Sequence, residues 1–192
     1  MRIIAGVKRG MKLFSPEDDV SRPILDRVKQ SLFDVLYNYN LPEDSHAADL
    51  FCGVGSLGLE ALSRGASSVT FIENDRQTAK ILKKNIEKAA FTEKSTVYIT
   101  DALNLASLPL TKQPKFNLVF IDPPYILTKN VDENSPLDKL LKSLVDLTAD
   151  DVLIVVRTRI ETELRQTYGI FRVLERRTWG SMAVTFLGRT KK

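Results

Sequence analysis

The chain has 192 residues and a net charge of +4, and its 43% hydrophobic and 27% charged residues are typical of one soluble globular domain. Its single cysteine excludes an internal disulfide, and one cysteine with one histidine excludes the usual structural zinc sites. We therefore expect no metal. No apolar run approaches the roughly 20 residues that span a bilayer, so we expect no membrane partner, and together with the single cysteine this indicates a cytoplasmic protein.

The first 40 residues predict a basic extension of the fold. Two short β-like runs predict a small N-terminal β-hairpin with Lys8 and Arg9 at its turn. Apolar residues then recur at helical spacing from Ile24 to about Tyr39. Residues 1–14 contain basic but no acidic side chains, which favours a polyanion as partner, although a solvated surface would give the same pattern.

Beyond Pro42 the pattern alternates between strand and helix. Short apolar runs predict strands at residues 47–51, 68–73, 96–100, 116–121, 152–156, 171–177 and 182–187. Helical periodicity predicts helices at residues 57–64, 76–89 and 137–147. The alternation indicates an α/β fold whose mainly parallel sheet is covered on both faces, with at least one antiparallel strand at the end. We expect residues 41–192 to form the catalytic domain and residues 1–40 to be an extension of it.

A glycine-rich turn joins the first predicted strand to its helix. Gly53, Gly55 and Gly58 allow the backbone to turn sharply and approach a ligand, and Glu73 follows 20 residues after Gly53, where it can bind a ribose diol. This pattern fits a dinucleotide, S-adenosylmethionine or a purely structural turn. Asp49 favours S-adenosylmethionine, because a carboxylate before the turn would repel a pyrophosphate but attract a sulfonium and an ammonium.

Further candidate residues for binding the methyl donor lie near the same turn. Asp101 follows the third strand of the alternating region, where it can accept a hydrogen bond from an adenine amino group or cap the helical segment that begins at Ala102. Phe51 lies in the turn itself, and Asn74 follows Glu73. We predict that these residues also contact the donor.

The tetrapeptide Asp122-Pro123-Pro124-Tyr125 follows an apolar strand and suits the methylation of an amino group on a nucleic-acid base. An exocyclic amine is a poor nucleophile because its lone pair is delocalised into the ring. The Asp122 carboxylate and the Pro123 carbonyl can each accept a hydrogen bond from one of its two N–H groups, while the two prolines fix the backbone. Tyr125 offers an aromatic face on which the base can stack.

Taken together, these stretches resemble the RsmD family of bacterial 16S ribosomal RNA guanine-N2 methyltransferases, within the amino-group branch of class I methyltransferases. The similarity covers essentially the whole chain. The stretches that carry it are residues 3–6, 9–10, 22–28, 32–33, 49–66 and 122–125. The tetrapeptide alone is shared with DNA adenine methyltransferases, which, like a NAD-dependent oxidoreductase or a non-catalytic RNA-binding module, remain alternatives at this stage.

The resemblance implies a Rossmann-like sheet of seven strands, mostly parallel, whose last strand is antiparallel. It implies S-adenosylmethionine as methyl donor, S-adenosylhomocysteine as product and 16S ribosomal RNA or the small ribosomal subunit as partner of a monomeric enzyme. The N-terminal hairpin and the segment containing Arg22 and Arg27 would bind RNA, although both arginines also suit loop or surface ion pairs. Trp179-Gly180-Ser181 departs from the family pattern and leaves the contribution of the C-terminal region open.

Overall fold

The computed structural model describes residues 1–16 and 24–190, which form four α-helices and eight strands joined by short 3-10 turns. The helices are α1 Asp26–Tyr37, α2 Ser56–Ser63, α3 Arg76–Ala89 and α4 Pro136–Ser143. The strands are β1 His46–Leu50, β2 Ser68–Glu73, β3 Ser95–Ile99, β4 Phe116–Ile121, β5 Thr148–Arg159, β6 Thr167–Tyr168, β7 Phe171–Trp179 and β8 Met182–Arg189. None of the described helices combines the length and the apolar character that crossing a membrane requires.

The described strands form one mixed sheet in the order β3-β2-β1-β4-β5-β8-β7-β6. Neighbouring strands from β3 to β5 are parallel, so their carboxyl ends share one edge, whereas β8 is antiparallel to β5. The predicted α/β class and the antiparallel last strand are confirmed. The expected count of seven strands was wrong, because β6 has only two residues and is too short to show an alternating pattern.

The sheet buries an apolar layer on each face. Helices α1, α2 and α3 pack on one face, where the rings of Phe33 and Phe120 lie 5.9 Å apart between centroids. Helix α4 packs on the other face through Leu137, Leu140 and Leu141. Strand β4 is buried on both faces over most of its length, and its sequence is accordingly an almost continuous apolar run. These two apolar layers fix the positions of the strand ends, and the polar loops extend from those ends.

The N-terminal segment forms a minimal version of the predicted β-hairpin. Its two runs are joined by an antiparallel bridge between Arg2 and Lys12, which has a backbone hydrogen bond on each side, at 2.9 and 3.1 Å. A 3-10 turn occupies Gly6–Lys8. This turn is attached to α2, because the N–H of Lys8 donates to Oγ of Ser63 at 2.9 Å.

A buried carboxylate completes the attachment of the N-terminal segment to the helices. Glu60 in α2 is fully buried and accepts hydrogen bonds from the backbone N–H groups of Ile4 and Ala5 at 2.8 and 3.0 Å. It also forms ion pairs with Lys29 of α1 at 3.3 Å and with Arg64 at 2.8 Å. A buried charge without partners costs several kcal/mol, so this network fixes the segment against α1 and α2.

Candidate active site

Four acidic side chains follow one another along the edge where the parallel strands end. Asp101 comes shortly after β3, Glu73 ends β2, Asp49 lies near the end of β1 and Asp122 directly follows β4. The sheet order β3-β2-β1-β4 places them in that spatial sequence. Ligands of open α/β sheets bind along this edge, so the row marks the candidate site.

The three glycines of the turn after β1 have different structural roles. Gly53 has a φ of +55°, and a Cβ built on it would meet no atom of the described residues within 4 Å. Gly55 has a φ of +87°, and a Cβ there would lie 2.5 Å from Cδ1 of Leu82 in α3. A Cβ on Gly58 would lie 2.3 Å from the ring of Phe71. Gly55 and Gly58 therefore permit close packing, whereas the backbone at Gly53 faces space that a ligand can occupy.

Asp49 is buried beneath this turn, with 1% of its surface exposed. Its Oδ2 accepts a hydrogen bond from the backbone N–H of Gly58 at 2.8 Å. Burial raises the pKa of the Asp49 carboxyl well above its usual range, the Gly58 N–H opposes that rise, and the charges of Asp122 and Glu73 add to it. A cation placed nearby would favour the ionised form of this carboxyl.

Glu73 and Asp101 both accept hydrogen bonds from backbone N–H groups. Oε2 of Glu73 accepts from Gly53 and Oε1 accepts from Asp75, each at 2.8 Å, so Glu73 holds the glycine turn in place. Asp101 caps the 3-10 helix Ala102–Ser107 by accepting from Leu103 at 2.9 Å, as one of its two predicted roles required. Each carboxylate oxygen keeps a second acceptor direction for a ligand.

The remaining predicted donor contacts lie around the same turn. Phe51 is half-buried with a φ of +58° and lines a small apolar cleft together with Leu103 and Pro123. Ala102 is buried, and Asn74 is exposed. The structure thus brings the row of acids, Gly53 and Phe51 to one edge, and the donor contacts predicted for all of these residues, as for Asn74 and Ala102, stay predictions.

The tetrapeptide after β4 is stiff and bears an ion pair that the sequence did not indicate. The N–H of Asp122 donates to the carbonyl of Leu50 at 3.3 Å, and a 3-10 turn begins at Tyr125. Nε of Arg157 in β5 donates to Oδ1 of Asp122 at 2.5 Å. Two residues further on, Cζ of Arg159 lies 4.7 Å from the centroid of the Tyr125 ring, within the range of a cation–π contact.

The charge of Asp122 depends on two opposing influences. Burial raises the pKa of its carboxyl, and the neighbouring Arg157 guanidinium lowers it through its charge and its hydrogen bond. The side chains of Asp122 and Arg157 are 22% and 13% exposed. The ion pair is therefore only partly screened by water, and Arg157 opposes the loss of the Asp122 charge.

The basic residues predicted to bind RNA are on separate elements. Lys8 and Arg9 lie in the N-terminal segment, where Nζ of Lys8 is 5.8 Å from the ring centroid of Phe91 and Arg9 is exposed. Arg27 is exposed on α1. Arg22 lies outside the described residues, so its predicted role is not addressed by the structure.

Arg157 and Arg159 are not among the residues predicted for the site, because the predicted strand ended at Val156. In the structure β5 continues to Arg159, and alternate residues of a strand face the same side. The arginine–threonine–arginine alternation directly after the apolar run is the signal that would have found them. Both side chains face the tetrapeptide.

The chain is similar to known proteins over its whole length. A family model described as "Conserved hypothetical protein 95" matches residues 1–188. The Bacillus subtilis protein YlbH, whose name marks it as a candidate rRNA methyltransferase, is 32% identical over 187 residues, which cover 96% of each chain. Ribosomal RNA small subunit methyltransferase D of Escherichia coli is 36% identical over 166 residues, covering 85% of this chain and 77% of that protein.

A solved structure shows the same architecture. The Escherichia coli protein yhhF superposes with a TM-score of 0.81 and 33% identity, covering 98% of this chain and 97% of the other. The shared architecture therefore includes the N-terminal segment and the C-terminal antiparallel strands as well as the parallel part of the sheet.

Proposed function

This chain belongs to the RsmD family of methyltransferases, and from this premise we propose that it transfers a methyl group from S-adenosylmethionine to the N2 amine of a guanine in 16S ribosomal RNA. The observation that carries the proposal is the row Asp101, Glu73, Asp49 and Asp122 along one sheet edge, with the open backbone of Gly53 beside it. The first three acids suit the donor, and Asp122 suits the amine.

The residues at this edge fit the methyl donor. Gly53 leaves room for a ligand against the backbone, and the buried Asp49 carboxyl suits a cationic group. Glu73 and Asp101 keep acceptor positions for ribose hydroxyls and for an adenine amino group, and Phe51 adds an apolar surface beside them. When bound, S-adenosylmethionine would supply an electrophilic methyl carbon. The amine nitrogen would bond to that carbon as the carbon–sulfur electron pair goes to sulfur, and the proton that the methylated nitrogen then loses would pass to Asp122 or to water.

Asp122 and Pro123 are proposed to prepare the target amine. An N–H group held by the Asp122 carboxylate and another held by the Pro123 carbonyl pull the nitrogen out of conjugation with the ring. Pro124 has an extended backbone, with φ −52° and ψ 136°, so the acceptors are preset. Positioning of this kind supplies most of the acceleration when no covalent enzyme intermediate forms.

Base recognition and RNA binding are assigned to exposed residues around the tetrapeptide and to residues 1–40. Tyr125 provides a stacking face, worth about 1–3 kcal/mol in single-strand binders, and Arg159 lies over its ring. Lys8, Arg9 and Arg27, together with Arg22 from the segment that the structure does not describe, are proposed to contact phosphates. A target base that is stacked in RNA must first be flipped toward the sheet edge.

The test is transfer of a labelled methyl group from S-adenosylmethionine to 16S RNA or to small ribosomal subunits. We expect the wild-type chain to label one of these substrates, Asp122→Ala to abolish labelling, and Asp146→Ala, at an exposed acid distant in sequence, to retain it. Digestion of the product to nucleosides should yield N2-methylguanosine. N6-methyladenosine, or labelling that survives Asp122→Ala, would refute the proposal.

A further inference from the structure

Arg157 and Asp122 form a cross-strand pair at the end of the sheet. Ile121 of β4 is paired with Val156 of β5, so the next residue of each strand lies beside the other. Nε of Arg157 is 2.5 Å from Oδ1 of Asp122, and both side chains are largely withdrawn from water. A charge-assisted hydrogen bond in such surroundings is stronger than one on an open surface.

The backbone that carries Arg157 is held from two sides. Within the ladder between β5 and β8, Arg157 is paired with Val184. Just beyond the strand, the N–H of Ile160 donates to the carbonyl of Ser181 at 3.0 Å, and Nη2 of Arg176 donates to the carbonyl of Ile160 at 2.6 Å. The guanidinium is therefore presented to Asp122 by a rigid strand end rather than by a loop.

We propose that Arg157 is a positioning residue for methyl transfer: by occupying Oδ1 of Asp122 it leaves Oδ2 as the acceptor for the target amine. This inference rests on the proposed function, because it assigns the part that Arg157 plays in the same site. A carboxylate with one oxygen fixed cannot rotate freely, and a rotation that misplaces the amine by about 1 Å costs on the order of 100-fold in rate.

The pair also keeps Asp122 charged. Burial raises the pKa of Asp122, and among the charged groups near it Arg157 lowers that pKa while the Asp49 carboxyl on β1 shares its sign. The neighbouring Arg159 lies over the ring of Tyr125 instead. Without Arg157 the carboxyl would hold its proton to higher pH, and a protonated oxygen is a poorer acceptor for an amine.

The first test needs no RNA. The side-chain carboxyl groups are labelled with carbon-13, Asp122 is identified by its loss in Asp122→Asn, and its titration is followed by NMR. We expect the midpoint for Asp122 to rise by about one pH unit or more in Arg157→Gln and to return part of the way in Arg157→Lys. Arg172→Gln, which removes the same charge from an exposed site on β7, should leave it unchanged. An unchanged midpoint in Arg157→Gln would overturn the inference.

The second test separates positioning from general damage. In Arg157→Gln we expect kcat for RNA methylation to fall about 100-fold at pH 7 and the acidic limb of the kcat profile to move upward, with partial rescue in Arg157→Lys. KM for the donor and the affinity for S-adenosylhomocysteine should change less than about twofold. A loss of donor affinity as large as the loss of kcat would indicate a merely structural role and overturn the inference.

The two proposals fail in different ways. If the wild-type chain does not methylate 16S RNA or small subunits, the proposed function is refuted, while an upward shift of the Asp122 titration in Arg157→Gln would still support the pairing. If the wild-type chain is active and Arg157→Gln keeps its rate and its pH profile, the proposed function stands and the role of Arg157 is refuted.

Discussion

The two halves of the candidate site are stabilised in different ways. In the half formed by β1, β2 and β3, the carboxylates of Asp49 and Glu73 bind backbone N–H groups of the glycine turn and of the loop after β2. In the half formed by β4 and β5, the carboxylate of Asp122 binds the side chain of Arg157, 35 residues further along the chain. The first half is therefore a folded loop that presents backbone and acids together, whereas the second depends on one contact between side chains.

This difference predicts that the two halves respond differently to substitution. Changes in the loop half should alter donor affinity and folding stability, since its acids bind the backbone. Changes in the tetrapeptide half should alter the rate at saturating donor, since its acid is proposed to bind the amine. The four substitutions that follow, from the largest expected effect to the smallest, test that division.

Asp122→Asn should have the largest effect. The amide keeps one acceptor oxygen but loses the negative charge. Its NH2 group can also face the Arg157 N–H group, and two hydrogen-bond donors cannot bind each other. We expect kcat to fall about 100- to 1000-fold while the Kd for S-adenosylhomocysteine, measured by calorimetry, changes less than about threefold. Asp146→Asn is the matched control at an exposed position. A variant that bound the donor more weakly but kept its kcat would contradict the division between the two halves of the site.

Gly58→Ala should destabilise the fold. The new Cβ would lie 2.3 Å from the Phe71 ring, so α2 must move away from the sheet, at a cost of about 1–3 kcal/mol in the free energy of unfolding. Gly53→Ala is the companion variant. Its Cβ meets none of the described atoms within 4 Å, and only the strain of a φ of +55° remains, worth about 1 kcal/mol. Urea denaturation measures both. Equal losses would contradict the packing role assigned to Gly58.

Glu73→Gln should weaken donor binding more than catalysis. One of the two backbone N–H groups, of Gly53 or Asp75, would then face the NH2 group of glutamine instead of an oxygen. The glycine turn would be held less firmly, and the one remaining acceptor oxygen would have to serve both the turn and a ribose hydroxyl. We therefore expect the Kd for S-adenosylhomocysteine to rise about tenfold. The value of kcat at saturating donor should stay within about twofold of wild type. A reduced kcat with unchanged Kd would place Glu73 in the other half of the site.

Asp49→Asn should have the smallest effect and should show it as a dependence on pH. The folded pKa of Asp49 lies above the unfolded value of about 4, so its protonated form stabilises the fold at low pH and this contribution is lost as pH rises through the folded pKa. Relative to Asp49→Asn, the wild-type free energy of unfolding should therefore decrease as pH rises above about 4. Parallel curves in urea denaturation at several pH values would contradict the assignment.

The sequence alone predicted the loop half of the site because the signals there are local. The bounds predicted for β2, α3 and β4 match the structure, and the spacing of the glycines is enough to identify the turn. The hydrogen bond from Gly53 to Glu73 joins residues whose separation of 20 corresponds to one crossover from strand to strand. Regular crossovers therefore convert spacing in the sequence into proximity in the fold.

The tetrapeptide half could be predicted only in part. Asp122 to Tyr125 form a recognisable motif. The alternation after Val156 places Arg157 near the end of the strand, but its pairing with Asp122 depends on the register of β4 on β5, which no local pattern specifies. The shift in register between Phe116 and Leu118 in that ladder is likewise invisible in the sequence. The attachment of the N-terminal hairpin to α2 could not be predicted for a similar reason, because Glu60 and Ser63, which accept hydrogen bonds from its backbone, lie far along the chain.

The attachment of the N-terminal segment to Glu60 limits how this protein can be re-engineered. Replacing the first residues to redirect the enzyme toward another nucleic acid would have to preserve the backbone donors at Ile4 and Ala5, because without them the buried Glu60 carboxylate would lose two of its hydrogen bonds. The side chains of Val7 and Arg9 are exposed to solvent, so they can be replaced without disturbing the hydrogen bonds to Glu60. A library that varies these two positions would therefore explore new binding preferences on an intact scaffold.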